Sequence, residues 1–211
     1  MGDHRSRLVA AGYDRLAGRY AEWATRVGSD PRDAMLAEFS SHLPDRARVL
    51  DLGCGTGLPS AAELAHRFDV TGVDISAGQI SAARRNVPAA KFIHADVAEV
   101  HFPERSFHGV AAFYSISHIP RSEHGRLFDR IWRWLVPGGL FVATLGATDS
   151  PDWTGDWLGV PMFFSAYDAD SNRALLRSAG FELVRDEVAE THEPEGAVRF
   201  LWVVARRPSG S

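Results

Sequence analysis

Apolar residues recur at helical spacing near the start of the chain, where Tyr13, Leu16, Ala17, Tyr20, Trp23, Ala24 and Val27 form one stripe. The segment Gly28-Ser29-Asp30-Pro31 breaks that helix, and a second is predicted from about Arg32 to Ser41, ending before Pro44. Beyond it, short apolar runs alternate with amphipathic stretches. Strands are predicted near 47–52, 68–74, 90–95, 109–114, 139–145, 180–188 and 198–205, and helices over 58–67, 76–86, 122–135 and 168–179. Strand–helix alternation implies parallel βαβ units with right-handed crossovers. The last two strands break the alternation: a polar loop, His192-Glu193-Pro194-Glu195-Gly196, joins them as a hairpin, so one of them runs antiparallel.

The run Val49-Leu50-Asp51-Leu52 passes straight into Gly53-Cys54-Gly55-Thr56-Gly57. Three glycines on alternate positions after a buried strand make a tight turn in which a ligand can lie against the main chain. The turn sits at the carboxyl end of a strand and opens a helix, which is where open α/β sheets bind nucleotides. The dinucleotide fingerprint places its third glycine where Leu58 stands, whereas here the extra glycine comes one residue early, at Gly57. The D-x-G-x-G-x-G pattern therefore resembles motif I of the class I S-adenosylmethionine (AdoMet) methyltransferases. That resemblance implies a Rossmann-like, doubly wound seven-stranded sheet, mostly parallel with an antiparallel C-terminal strand. It also implies AdoMet as cofactor and S-adenosylhomocysteine as product, with Asp51, Gly53, Cys54, Gly55 and Gly57 around the cofactor. Cys54 itself is expected to be a small packed side chain.

Asp74 ends the second strand, 21 residues beyond Gly53, close to the offset at which an acid meets a ribose in nucleotide-binding sheets. A carboxylate only accepts, so it takes both ribose hydroxyl protons; Ser76 is the better cap for the following helix. Val73-Asp74-Ile75-Ser76 resembles motif II of the same family. Asp96 and Val97 end the third strand, where the resemblance implies contacts to adenine. The fourth strand leads into Tyr114-Ser115-Ile116-Ser117-His118, the end that faces the transferred methyl in this family. His118 is the candidate general base, since imidazole titrates near neutral pH. Leu135-Val136-Pro137-Gly138-Gly139 reads as a structural turn before the fifth strand.

The acceptor pocket is expected from two segments. One is the first helix, with Tyr13, Tyr20 and Trp23; Tyr20 is also counted with the cofactor. The other follows the fifth strand, where Trp153, Trp157, Met162, Phe163 and Phe164 lie among glycines and a proline without regular period, as in a substrate lid loop. The expected organisation is one domain: cap helices over 1–43, a cofactor-binding half over 44–150, the lid loop over 151–167, and a helix with hairpin over 168–207.

Size and charge bound the function. The 211 residues, 45% hydrophobic, suit one substantial core. A net charge of −4 without a basic run speaks against a nucleic-acid partner. The single cysteine excludes an internal disulfide framework, and no acids cluster after the fourth strand to hold a metal. No apolar run reaches bilayer length and the N-terminus lacks an apolar signal core, so a cytoplasmic protein without a membrane partner is expected, as monomer or homodimer. The leading expectation is methyl transfer to a small molecule at oxygen, nitrogen or sulfur. Two alternatives stand beside it: an AdoMet-binding protein of this fold that catalyses a non-methylating step such as cyclisation, and a nicotinamide oxidoreductase, which Leu58 disfavours.

Overall fold

The computed structural model describes residues 4–24, 26–28 and 30–210. Ser29 of the predicted break, Ser211 of the chain end and the side chain of Ala17 lie outside the described residues.

Strands β1 (Arg48–Leu52), β2 (Asp69–Asp74), β3 (Lys91–His94), β4 (Phe107–Ala112), β5 (Leu135–Gly146), β8 (Glu182–Glu193) and β9 (Gly196–Arg206) form one sheet. A separate two-stranded sheet holds β6 (Ser150–Trp157) and β7 (Val160–Ala166). The large sheet runs β3-β2-β1-β4-β5-β9-β8. All pairs from β3 to β5 are parallel, and β9 is antiparallel to both its neighbours. The expected seven-stranded sheet with an antiparallel C-terminal strand is the one observed.

Alternation along the strands explains the layers. Val49 faces a core with Met35, Phe39, Leu64 and Ile80, whereas Leu50 and Leu52 face one with Phe128, Ile131 and Leu176. A strand buried on both faces reads as a continuous apolar run, because each face carries helices. Those helices are α2 (Arg32–Ser41), α3 (Ser60–Ala65) and α4 (Ala77–Asn86) on the first side, and α5 (His124–Trp134) with α6 (Ala169–Ser178) on the second. Ser76 caps α4, its side chain accepting the Gln79 N–H at 3.0 Å, as the sequence suggested.

A third cluster sits on top. Val9 and Leu16 of α1 (His4–Ala24) bury against Val160, Met162 and Phe163 of β7. Gly12 allows this close approach: a Cβ there would meet the Met162 Cε at 2.7 Å. The helix is fastened at other points too. The Asp14 carboxylate accepts from the Ser76 hydroxyl at 2.5 Å and the Gly78 N–H at 3.0 Å, at the start of α4, where a negative charge is favoured. Arg19 donates to the Leu158 carbonyl at 3.0 Å, and the Trp23 indole donates to Glu195 at 2.8 Å.

Two expectations change. The 151–167 segment is not an irregular loop but a β-hairpin, turned by Leu158 and Gly159, both at positive φ (53° and 78°). Two consecutive left-handed residues make the tight turn that suits paired strands. Its period-two signal, Trp153–Gly155–Trp157, is masked by the two small sheet-breaking residues Gly155 and Pro161. Leu135–Gly139 is not a turn ahead of β5 but part of it, with a bulge where pairing steps from Phe107–Leu135 to Gly109–Leu140 and Gly138 at φ 82°. The final hairpin is longer than predicted, its polar link shrinking to Pro194-Glu195.

Candidate active site

The carboxyl ends of β1 to β4 converge under α1. Gly53 has φ 75° and Gly55 φ 54°, left-handed values that side chains resist. The two glycines differ in surroundings: a Cβ on Gly53 would overlap the Ser115 Cβ, whereas one on Gly55 meets only the Gln79 side-chain oxygen at 4.0 Å. Ser115 in turn donates to the Leu52 carbonyl at 2.7 Å, tying the end of β4 to β1.

Asp74 accepts the Gly55 N–H at 2.8 Å and the Ser76 N–H at 2.9 Å, one on each oxygen. Burial pushes its carboxyl upward, and those two donors pull it back toward ionisation. One lone pair on each oxygen stays free for a ligand hydroxyl. Asp96 accepts the Ala98 N–H at 2.8 Å through Oδ1, and its Oδ2 is buried without a partner. Arg130 steadies this loop, donating to the carbonyls of Val97 (3.1 Å) and Val100 (3.3 Å).

These residues border an inner cavity of about 160 Å³, whose wall includes Gly53, Gly55, Asp74, Ile75, Asp96, Val97, Tyr114 and Ser115. Gln79, Phe113 and Glu123 also line it and have no short-range signature in the sequence. Asp51, Cys54 and Gly57 do not line it. Asp51 is buried beneath with Oδ2 unpartnered, and burial pushes its carboxyl up to about 7. Cys54 packs toward Gly72 and Phe92, and burial raises its thiol far above the usual range, so it is no nucleophile. Gly57 at φ 79° packs against Val87 and Phe92, a structural position.

An outer cavity of about 850 Å³ adjoins it. Trp23, Trp153, Trp157 and Phe164 line this space as expected. Met162 and Phe163 do not: both are buried in the cluster that Val9 and Leu16 of α1 form with β7. Asp30, Arg32, Glu193 and Phe200, unflagged by the sequence, complete the wall. Tyr13, Tyr20, Tyr114 and His118 border both cavities and form the partition between them. Tyr114 has φ 55°, an uncommon conformation for a bulky residue and one that gathers at working sites.

His118 sits at this junction in a defined state. Its Nδ1 donates to the Phe163 carbonyl at 2.9 Å, so in the neutral ring Nε2 accepts the Tyr13 hydroxyl proton at 2.7 Å. Burial lowers its pKa to about 4, against the smaller opposing effect of the Phe163 carbonyl. At neutral pH the ring is uncharged, a weak base whose accepting nitrogen is already occupied.

Opposite signs follow for stability against pH. Between pH 6.5 and about 4 the unfolded chain binds a proton at His118 that the folded chain does not, so stability falls with falling pH. Asp51 does the reverse: folded, it keeps its proton up to about pH 7, and unfolded it releases it near 3.8, so stability rises with falling pH. The two slopes oppose each other. Urea unfolding of Asp51→Asn is expected to lose about 2 kcal/mol more than wild type between pH 7 and 4.5. His118→Phe is expected to shift in the opposite sense.

Comparison with known proteins fits this geometry. A family profile described as a methyltransferase domain matches residues 49–139, from β1 into β5. Residues 49–139 thus carry a methyltransferase domain, in keeping with the resemblance of motif I to the class I AdoMet methyltransferases. Trans-aconitate 2-methyltransferase of Deinococcus radiodurans is 34% identical over 124 residues, 56% of this chain and 46% of that protein. Malonyl-[acyl-carrier protein] O-methyltransferase of Enterobacter lignolyticus is 30% identical over 176 residues, 82% of this chain and 65% of that protein. The chain spans about half the length of the trans-aconitate methyltransferases it matches, 46% and 47%. Among solved structures, the 1,6-didemethyltoxoflavin-N1-methyltransferase of Burkholderia thailandensis, with 1,6-didemethyltoxoflavin and S-adenosylhomocysteine bound, has a TM-score of 0.69. It is 25% identical, and the likeness covers 97% of this chain and 87% of that one. Most of the inner cavity's lining falls within the matched segment, whereas the outer one is lined largely by residues outside it.

Proposed function

We propose that the protein is an AdoMet-dependent methyltransferase acting on a small molecule, with the cofactor in the inner cavity and the acceptor in the outer one. The observation that carries this is the partition: the two cavities share a wall of Tyr13, Tyr20, Tyr114 and His118, so ligands in each meet at one place. The inner residues fit the cofactor. The free lone pairs of Asp74 suit ribose hydroxyls, and the orphaned Asp96 Oδ2 suits the adenine amine. The space before Gly55 admits a ligand against the backbone. When bound, AdoMet supplies an electrophilic methyl group on its sulfonium.

The chain's own work is alignment and exclusion of water. His118 fixes the Tyr13 hydroxyl, whose oxygen lone pairs remain available to orient an acceptor at the junction. His118 is thus a positioning residue here, and direct proton abstraction by it would require displacing Tyr13. Helix α1 closes over both ligands, latched by Asp14. We read the protein as cytoplasmic and as acting without nucleic acid or membrane; among the described residues no helix is long and apolar enough to cross a membrane.

Calorimetric titration is expected to show one AdoMet site per chain and no saturable NAD binding. Incubation with labelled AdoMet and a metabolite extract is expected to give S-adenosylhomocysteine and a labelled product. AdoMet binding without methyl transfer to any acceptor would favour a non-methylating role, and absence of binding would sink the proposal.

A further inference from the structure

Resting on that reading, the chemistry of the outer cavity identifies the kind of acceptor it takes. We propose that it recognises a small molecule carrying an alkylammonium group, held in an aromatic corner of Trp23, Trp157 and Phe164 and facing the Glu193 carboxylate.

Rings come first. Trp157 meets Trp23 at 5.5 Å between centroids and 73° between planes, and meets Phe164 at 5.4 Å and 81°. Trp23 also stacks on Tyr20 (5.9 Å, 21°), so the ring surface these residues offer as lining is what that packing leaves uncovered. Ring faces attract cations, most strongly for tryptophan. The same wall already holds one cation in this manner: the Arg32 guanidinium lies 4.9 Å from the Tyr114 centroid. That charge is answered by Asp30, 3.3 Å away, and over the whole lining Asp30, Asp33 and Glu193 outnumber Arg32 and Arg199.

The carboxylate is the second, independent observation. Glu193 borders the cavity and is half-buried, yet it makes no ion pair among the described residues. Burial pushes its carboxyl up, and the Glu195 carboxylate adds to that, as for an acid with no cation against it. Arg199 also borders the cavity, but no ion pair forms between it and Glu193 among the described residues. The pairs Glu193–Gly196, Thr191–Val198 and Ala189–Phe200 place Glu193 on the face of Phe200, while Arg199 pairs with Glu190 on the other face. Burial raises the Tyr20 phenol in the partition; Arg32 opposes this, and Asp74, Glu193 and Asp30 add to it. A carboxylate or phosphate at this place would meet Glu193 as a like charge. An ammonium ion meets both the π-faces and the carboxylate.

The test uses choline and its neutral isostere 3,3-dimethylbutan-1-ol as probes, titrated calorimetrically into the full chain without cofactor. A quaternary nitrogen keeps its charge at every pH, and the pair differ only in that charge. Choline is expected to bind about tenfold more tightly, the scale of one desolvated cation–π contact. Glu193→Gln is expected to weaken choline about fivefold and leave the isostere unchanged, and Trp157→Leu to weaken choline in the same direction. Equal affinity for the two probes, or choline binding that Glu193→Gln leaves untouched, overturns the proposal. A parallel AdoMet titration separates the two readings, because loss of AdoMet binding fails the methyltransferase assignment and leaves the choline comparison standing on its own.

Discussion

Gly53→Ala is expected to lower stability by about 3 kcal/mol and to abolish measurable AdoMet binding. Two costs add. An alanine held at φ 75° carries about 1–2 kcal/mol of left-handed strain. Its Cβ would also overlap the Ser115 Cβ, and moving Ser115 breaks the hydrogen bond to the Leu52 carbonyl, worth about 1 kcal/mol. Gly55→Ala serves as the control. It suffers the backbone strain at φ 54° but faces open space, so its loss is expected to stay near 1–2 kcal/mol. Urea unfolding of both variants measures the difference. Equal losses would mean that Ser115 yields freely and that the β1–β4 tie is not what fixes the turn.

Asp74→Asn is expected to weaken AdoMet about 100-fold and to lower the melting temperature by a few degrees, because one backbone N–H loses its acceptor. The carboxylate does two jobs at once: each oxygen accepts a backbone N–H, from Gly55 and from Ser76, and each has a lone pair to spare. An asparagine has one accepting oxygen, so it either abandons one N–H or points its own amide N–H at a donor. It also offers one ribose hydroxyl a donor in place of an acceptor. Losing a charge-assisted pair of bonds to a buried ligand costs about 3 kcal/mol, which is the 100-fold expected. Titration of AdoMet and of adenosine separates the parts, since adenosine keeps the ribose and lacks the methionine end. A loss for AdoMet without a loss for adenosine would place Asp74 away from the ribose.

Much of this was legible in the chain. The seven sheet strands announce themselves as apolar runs because each is covered on both faces or on one, and Asp74 and Asp96 are visible because they stop such runs. The cofactor half is written locally, in a turn where three glycines and an acid lie within a few residues. The outer cavity is not. Glu193 looks like loop polarity until the hairpin brings it to the cavity that Trp157 also lines, and Arg32 looks like the first turn of an ordinary helix. Phe163 lies on the other face of the strand from Phe164, while Met162, on the same face, is taken up by the packing of α1, which the local sequence does not show. His118 was legible as a junction residue from its distance past β4. Its protonation was not, since that depends on Tyr13, 105 residues away.

Helix α1 is bonded to four separate elements: Tyr13 to His118, Asp14 to the start of α4, Arg19 to the turn of the small hairpin and Trp23 to the tip of the large one. It is also a wall of both cavities. On that side neither ligand can leave while all four bonds hold, so exit becomes a local unfolding event with its own clock. A spent cofactor would then depart at the pace at which a helix peels, and the slowest step of a turnover would belong to the roof of the site, with the chemistry beneath it already finished.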